Sequence, residues 1–386
     1  IVAAIAAKQV MEKNGIKGRI MLWPGVAEEL VATKAYYVRA GMFKDVDANL
    51  FAHVGDSLET TWGPMAYTAS LSVEYTFAGL TAHAAGNPWD GKSALDAVEL
   101  MNDGWNMKRE HLPTTQRSHY VITGGGNQPN IVPDKASVWY YFRDTQLPAV
   151  KAMYDAGNRI ANGAAMMTET TVTRRVLGHA ATNYGNKPIA EAAFANMKAV
   201  GLPQWSAADQ NFARAVLSGF DRKQKPLATG GPILWSPENP NRDRNGGSDD
   251  IGDIMWTVPT ITISYPSNVP GISYHNIMAA TAMATPIAHK GAVVGAKVAA
   301  MTLLDLMTTP ELVAGAKAWQ QEVQFKTEKY APLLSPEDQP AIHLNADLMA
   351  KMRPQMEKYY FDSKKYKSYL EQLGIDYEKA GSAAKN

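Results

Sequence analysis

The spacing of apolar residues divides the chain into segments with helical and strand periodicity. The first fifteen residues follow a helical repeat that closes at Gly15. Short apolar runs at 18–23 and 47–54 predict buried strands, and the periodic residues 28–40 between them predict a helix. A strand, a helix and a strand in close succession are typical of an α/β layer with parallel strands.

The pattern changes between residues 67 and 182, where alternating strand segments are separated by two long helical segments. The pattern predicts strands at 70–79, 118–125, 135–144 and 168–178, and helices at 93–112 and 147–167. Along the chain the order is strand, helix, strand, strand, helix, strand. This order is that of the split βαβ, or ferredoxin-like, plan. We therefore predict a compact inserted domain at residues 67–182.

The α/β pattern resumes after the inserted domain. Two amphipathic helices are followed by an irregular segment at 221–249, rich in Pro, Asn, Gly and Asp, and then by a strand at 258–266. The chain therefore divides into one α/β domain in two parts, 1–66 and 183–330, and a polar C-terminal appendage at 331–386.

Composition narrows the classes of function. The 386 residues carry a net charge of +1, so no basic field recruits nucleic acid. Cysteine is absent, which excludes disulfides and thiolate chemistry within this chain. The chain contains no run of eighteen apolar residues, so the sequence predicts no membrane span. The N-terminal residues lack the features of a signal peptide, and the compartment stays open between cytoplasmic and periplasmic or secreted.

Four side chains are candidates for metal-assisted chemistry. Glu28 and Glu29 stand at a strand-to-helix junction, His53 ends a strand, and His275 follows another strand. Ligands gather at the carboxyl ends of strands in open α/β sheets. Glu29, His53 and His275 suit a divalent ion, zinc above all, and a free carboxylate beside them suits a general base. Each residue also has an ordinary alternative, such as solvated charge at a helix N-terminus.

Longer motifs connect these residues to a known family. The stretch PGVAEEL followed by DANLFAHV resembles the paired-glutamate region of co-catalytic metallopeptidases of the aminoacylase and carboxypeptidase G2 type. FAGLTAHAAGNPWDGKSALDAVELM, GGGNQPNIVPDKASVWYYFRD and GGSDDIGDIMWTVPT are similar to further stretches of the amidohydrolase branch that includes p-aminobenzoyl-glutamate hydrolases. The resemblance runs in order from residue 1 to about 310.

The resemblance implies both a fold and a site. The fold is a phosphorylase/hydrolase-like α/β catalytic domain, with a mixed sheet and helices on both faces, and an inserted ferredoxin-like (βαββαβ) domain for lid and dimerisation. The implied roles are general base and acid for Glu28, metal ligands for Glu29, His53 and His275, oxyanion stabiliser across a dimer interface for His83, and substrate binding for Asn130 and Arg143.

Several of these positions keep a second interpretation. His83 and Asn130 follow turn-forming residues and have a turn role as the alternative, while Arg143 has that of a strand-end surface charge. The acidic cluster of Asp249, Asp250 and Asp253 could assist the metal site, but a helix-cap and loop role is favoured.

The resemblance implies two divalent ions, zinc or alternatively manganese. The family supplies two further ligands from a Cys-Gly-His type stretch upstream of the first helix, whereas this chain starts at Ile1. We therefore expect an incomplete metal site in this chain. Three explanations for the missing ligands are open. The sequence is incomplete, the ligand-bearing segment is a separate chain or is removed, or the protein is a degenerate relative that binds no metal.

The expected function is amide hydrolysis by a homodimer that binds neither nucleic acid nor membrane. The substrate would be an N-acyl amino acid or an aryl-amide conjugate such as p-aminobenzoyl-glutamate, attacked by metal-activated water. A dipeptidase of the same superfamily and a non-catalytic, metal-free binding protein are the alternatives.

Overall fold

The computed structural model describes residues 1–25, 27–240 and 247–382. The first elements are α1 (Val2–Asn14), α2 (Glu28–Val31), α3 (Lys34–Arg39), β1 (Asn49–Gly55), β2 (Glu59–Thr61) and β3 (Gly63–Pro64). Helix α1 ends as predicted at Gly15, whose φ of 65° lies in the left-handed region that favours glycine.

Two details of this N-terminal part differ from the sequence prediction. Residues 18–23 form no strand. Within the described residues, β1 therefore lies at the edge of its sheet and pairs only with β10 (Thr260–Pro266). The single helix predicted at 28–40 is instead two short helices, interrupted where Ala32 adopts a φ of 51°. Hydrophobic periodicity reports which side chains are buried but not whether the backbone hydrogen bonds run unbroken.

The inserted domain is the predicted ferredoxin-like unit. Its elements are β4 (Ala69–Ala78), α4 (Ala94–Arg109), β5 (Arg117–Gly124), β6 (Lys135–Asp144), α5 (Leu147–Met167) and β7 (Thr171–Ala180). The four strands form an antiparallel sheet in the order β5-β6-β4-β7. Ser93 caps α4 by accepting a hydrogen bond from the Asp96 main-chain N–H, as its sequence position predicts.

Helices α4 and α5 cover one face of this sheet, and the core of the domain lies between the helices and the sheet. Alternate residues of β4 and β6 and several helix residues are buried in it, namely Leu71, Val73, Tyr75, Phe77, Val138, Tyr140, Phe142, Val98, Met101 and Trp105. Because side chains alternate along a strand, the odd-numbered residues of β6 point to the opposite face. Trp139, Tyr141 and Arg143 therefore share the face without helices.

The remaining elements of the α/β domain follow the inserted unit. They are β8 (Tyr184–Gly185), α6 (Lys187–Val200), α7 (Ala207–Gly219), β9 (Ile233–Trp235), α8 (Gly252–Met255), β10 (Thr260–Pro266), α9 (Ile277–Met283), α10 (Pro286–Thr308), α11 (Pro310–Trp319) and α12 (Phe325–Thr327). A π-helical turn at Gln320–Gln324 joins α11 to α12. Part of the predicted irregular segment, 241–246, lies outside the described residues.

The main sheet of this domain is mixed and has helices on both faces. Its order is β1-β10-β2-β9, in which β10 is parallel to β1 and antiparallel to β2. Leu50 packs with residues of α6 and α10, whereas its neighbour Phe51 packs with residues of α8 on the other face. This arrangement confirms the fold class that the resemblance implied.

Helix α10 has the length and composition of a membrane span. It has 23 residues, and its most apolar window has a mean hydropathy of 1.4. In the structure it packs against α1, α6 and β10, and Val294 and Val298 are buried there. Of its most apolar window, 39% is buried in the structure.

The C-terminal segment packs against both domains. It contains α13 (Ala346–Met356), α14 (Tyr369–Gln372) and α15 (Tyr377–Ser382). Leu334 joins the core of the inserted domain, and Arg39 of α3 donates to the carbonyl oxygens of Ser335 and Asp338. At the far end, the Tyr377 hydroxyl donates to Asp209 at the start of α7. The segment is thus anchored at several points, although its boundary at residue 331 stays a prediction.

Candidate functional site

The two adjacent glutamates have different environments. Glu28 begins α2 and is partly buried, whereas the side chain of Glu29 is 73% exposed. The turn that carries them lies between Ala27 and Ala32, which both adopt a positive φ of about 50°. Non-glycine residues in the left-handed region store strain, and such residues cluster at functional sites.

Glu28 lies in a cluster of three carboxylates. Oxygen atoms of Glu28, Asp249 and Asp250 lie within 4.8 Å of one another. Burial, followed by the charges of Asp250, Asp249 and Glu29, raises the pKa of Glu28 to about 7, and Lys34 opposes this rise. Burial also raises the pKa of both aspartates. At neutral pH the Glu28 carboxyl group can therefore both accept and release a proton.

Sequence reasoning assigned the aspartates to a cap and loop role. That role is present, because Asp249 Oδ1 accepts a hydrogen bond from the Ile251 main-chain N–H. Asp253 instead joins distant segments, because it accepts from the Ala181 main-chain N–H at 3.0 Å and from the Tyr330 hydroxyl at 2.7 Å. The sequence signal that could have placed Asp249 and Asp250 at the site is their charge in an otherwise Gly-rich loop.

Two of the three predicted metal ligands, Glu29 and His275, contact each other. His275 Nδ1 is 3.4 Å from Glu29 Oε2, and His275 itself has a φ of 55°. His53 lies on β1, near the carboxyl end of that strand. His53 Nδ1 lies 2.7 Å from the Val54 carbonyl oxygen. Since a carbonyl only accepts, Nδ1 carries the proton and Nε2 keeps its lone pair for a metal.

The chemistry of this donor set fits a divalent ion. Carboxylate oxygen comes from Glu29 and Asp249, and imidazole nitrogen comes from His53 and His275. Mixed oxygen and nitrogen donors are those that zinc and manganese bind in proteins. Of the predicted metal ligands, the structure brings Glu29 and His275 together. Among the described residues, the ligand atoms close enough to share one ion are those of Glu28, Asp249 and Asp250. The role of His53 as a ligand stays a prediction.

Arg143 brings the inserted domain to the same region. Its Nη1 donates to the Ser248 hydroxyl at 3.4 Å, and its guanidinium lies 5.1 Å from the Tyr141 ring. Burial lowers the pKa of Arg143, whereas Tyr141 and Glu28 raise it. Its Nε is buried and has no hydrogen-bond partner among the described residues. The helix-free face of the inserted sheet therefore faces Glu28 and offers an unpaired donor.

His83 and Asn130 form a separate group. Both are exposed on the inserted domain, where the Asn130 carbonyl accepts from the Ala84 main-chain N–H at 3.0 Å. His83 Nδ1 accepts from the main-chain N–H groups of Ala85 and Gly86. In the neutral ring the proton is therefore on Nε2, which can act as a donor. Across the described parts of the chain, no hydrogen bond or ion pair joins either residue to Glu28.

Comparison with known proteins assigns the family. The sequence model of a peptidase dimerisation domain matches residues 68–162, within the ferredoxin-like unit. A p-aminobenzoyl-glutamate hydrolase subunit of Escherichia coli (strain K12) is 32% identical over 361 residues, which cover 86% of this chain and 73% of that protein. The chain belongs to the M20 peptidase family. Its named relatives are a hydrolase and dipeptidases, so this M20 chain is a hydrolase that acts on amide bonds.

Other similarities are more distant. The Xaa-Arg dipeptidase of Mus musculus is 27% identical over 75% of this chain and 60% of its own length. The aminobenzoyl-glutamate utilization protein from Klebsiella pneumoniae has 19% identity and a TM-score of 0.44, over 74% of this chain and 58% of its own. A dinuclear metal binding peptidase from Bacillus subtilis has 15% identity and a TM-score of 0.45, over 79% of this chain and 71% of its own.

Proposed function

We propose that this M20 protein hydrolyses the linear amide bond of an N-acyl amino acid or an aryl-amide conjugate such as p-aminobenzoyl-glutamate. The observation that carries the proposal is the position of Glu28, which is partly buried against Asp249 and Asp250 and adjoins the Glu29–His275 pair. This environment raises the pKa of Glu28 to about 7. A carboxyl group with a near-neutral pKa can take a proton from water and return it to a leaving amine.

The metal-binding part of the proposal rests on the donor set. Glu29, His53 and His275 would hold divalent metal as part of a two-ion site, and the contact between Glu29 and His275 supports this. Bound zinc or manganese would acidify water and polarise the amide carbonyl. The residues of this chain then have the separate tasks of moving protons and orienting the substrate.

Glu28 would transfer the proton. It would accept a proton from the attacking water and then deliver it to the amide nitrogen as the C–N bond breaks. Its partial burial supports this role, because a carboxylate in a less polar environment is a stronger base.

Residues of the inserted domain would bind the substrate. Arg143 would pair with a substrate carboxylate, for which its unpartnered Nε and planar guanidinium are suited. Asn130 would add an amide contact. His83 would donate from Nε2 to the developing oxyanion. Because His83 does not contact Glu28 within one chain, we propose that it acts from the partner subunit of a homodimer formed through the inserted domain.

Substitution of Glu28 tests the proton-transfer role. In the full-length protein, Glu28→Gln should lower kcat about a thousandfold and leave the metal content unchanged. Glu29→Gln should lower the metal content as well. The exposed Glu191→Gln, on α6, is the matched control. Near-normal turnover by Glu28→Gln would contradict the mechanism.

Subunit mixing tests the role of His83. Glu28→Gln and His83→Ala should each be nearly inactive as homodimers. A heterodimer pairs an intact Glu28 with the intact His83 of its partner at one of its two sites. Random reassociation should therefore restore about a quarter of wild-type activity. No recovery in a mixture shown to contain heterodimers would exclude catalysis across the interface.

A dipeptidase is the second candidate, and the similarity to the mouse Xaa-Arg dipeptidase favours it. A panel of N-acyl amino acids and free dipeptides would separate the two, because a dipeptidase requires a free α-amine on its substrate. Absence of both turnover and bound metal in the full-length protein would instead favour the non-catalytic binding protein.

A further inference from the structure

A buried ion pair lies beside the proposed catalytic group. The side chains of Lys34 and Asp250 are 8% and 0% exposed, and Lys34 Nζ pairs with Asp250 Oδ1. The main-chain N–H of Lys34 also donates to Asp250 Oδ2 at 3.0 Å. Both oxygens of this carboxylate are thus bound by a single residue, which fixes its position and orientation.

The pair joins the two segments that carry the site. Lys34 begins α3, six residues after Glu28, and Asp250 directly follows Asp249. The two partners are 216 positions apart in sequence. The distance between Glu28 and Asp249 therefore depends on this contact between α3 and the loop before α8.

Lys34 also supplies a positive charge within the carboxylate cluster. Its ammonium lies 5.3 Å from the centre of the Phe51 ring, which closes that side with an aromatic face. No hydrogen bond to the Glu28 carboxylate occurs among the described residues, so this group is held by its backbone and by nearby charge. Without Lys34, three carboxylates would lie together with little to offset their repulsion.

We infer that Lys34 is a positioning residue, which binds Asp250 on both oxygens and thereby keeps Glu28 and Asp249 opposed. The inference rests on the proposed amide hydrolysis, because its consequence is measured as turnover. It also divides the acidic cluster: Asp250 serves the structure, while Glu28 keeps free oxygens for proton transfer.

Three substitutions test the inference in the full-length, metal-loaded protein. Lys34→Met removes the ammonium but keeps the main-chain N–H, and Lys34→Arg keeps the charge. Lys34→Met combined with Asp250→Asn removes both buried charges. Lys290→Met is the matched control, because Lys290 also pairs with a fully buried aspartate, Asp209, away from Glu28.

The expected results separate positioning from stability. Lys34→Met should lower kcat about a hundredfold, as misplacement of a catalytic group does, and leave KM within about threefold. Lys34→Arg should recover at least about a tenth of wild-type kcat. The double variant should regain thermal stability, because no buried charge is left unpaired, but its kcat should stay low. Lys290→Met should lose stability and keep its kcat.

Two results would overturn the inference. The first is a kcat for Lys34→Met within about threefold of wild type. The second is recovery of kcat together with stability in the double variant, which would leave Lys34 with a structural role alone.

Hydrogen exchange separates this inference from the proposed function. If the wild-type protein hydrolyses no amide, the proposed function fails, but the contact can still be tested. Lys34→Met should then speed amide exchange in residues 247–253, whereas Lys290→Met should not. Unchanged exchange in that segment would show that Lys34 does not hold the loop.

Discussion

Glu28 should destabilise the folded protein at the pH where it works. Its pKa rises from an ordinary 4.5 to about 7, mainly because the carboxyl group is buried. Between these two values the folded chain keeps a proton that the unfolded chain has released. The free energy of unfolding therefore falls as pH rises through this window, and the cost is complete above about pH 7.

The size of the effect follows from the shift. The difference between 4.5 and about 7 corresponds to about 3 kcal/mol, at about 1.4 kcal/mol per pH unit. Because Glu28 is only partly buried and solvent screens its neighbours, we expect about half of this. Glu28→Gln should therefore gain about 1.5 kcal/mol of stability relative to wild type between pH 4.5 and pH 8.

Urea denaturation at several pH values measures this difference. A chelator is added so that no metal ion offsets the charge, and Glu191→Gln controls for removal of an exposed carboxylate. The gain should be near zero at pH 4.5 and reach its full size by pH 8. A difference between Glu28→Gln and wild type that stays constant with pH, or that becomes destabilising, would refute the assigned shift and its cause.

Three further predictions concern buried charge and close packing in the described structure. Burial alone would raise the pKa of Asp209, but hydrogen bonds from neighbouring donors hold it below its ordinary 3.8. Asp209→Asn should therefore lower the free energy of unfolding by about 2 kcal/mol at pH 7, and by progressively less below pH 4. Faster amide exchange around Tyr377 should accompany this loss. Asp253→Ala should cost about 3 kcal/mol, because three groups lose a buried partner, and a cost below about 1 kcal/mol would contradict this. Gly291→Ala should lower stability by more than about 2 kcal/mol, because the added Cβ would overlap a main-chain carbonyl. Gly163→Ala, in open space on α5, should raise stability by about 0.5–1 kcal/mol. Equal melting temperatures for the two glycine variants would contradict the packing.

The inserted domain was predictable from sequence because its signals are local. The strand patterns of residues 70–79 and 135–144 and the Ser93 cap each depend on neighbours a few positions away. The order of these elements then favoured the ferredoxin-like plan. The family motifs likewise indicate Glu28 and its candidate partners from the sequence alone.

The sequence by itself thus determined the element order, the family and the type of chemistry. Tertiary structure alone decided that Asp249 and Asp250 lie beside Glu28, and that the C-terminal segment packs on both domains. It also decided that Lys34, a lysine with nothing unusual in its local pattern, is buried against Asp250. The reason is physical: periodicity records how each residue meets its neighbours along the chain, whereas a pKa of about 7 at Glu28 arises from burial and from charges more than two hundred residues away.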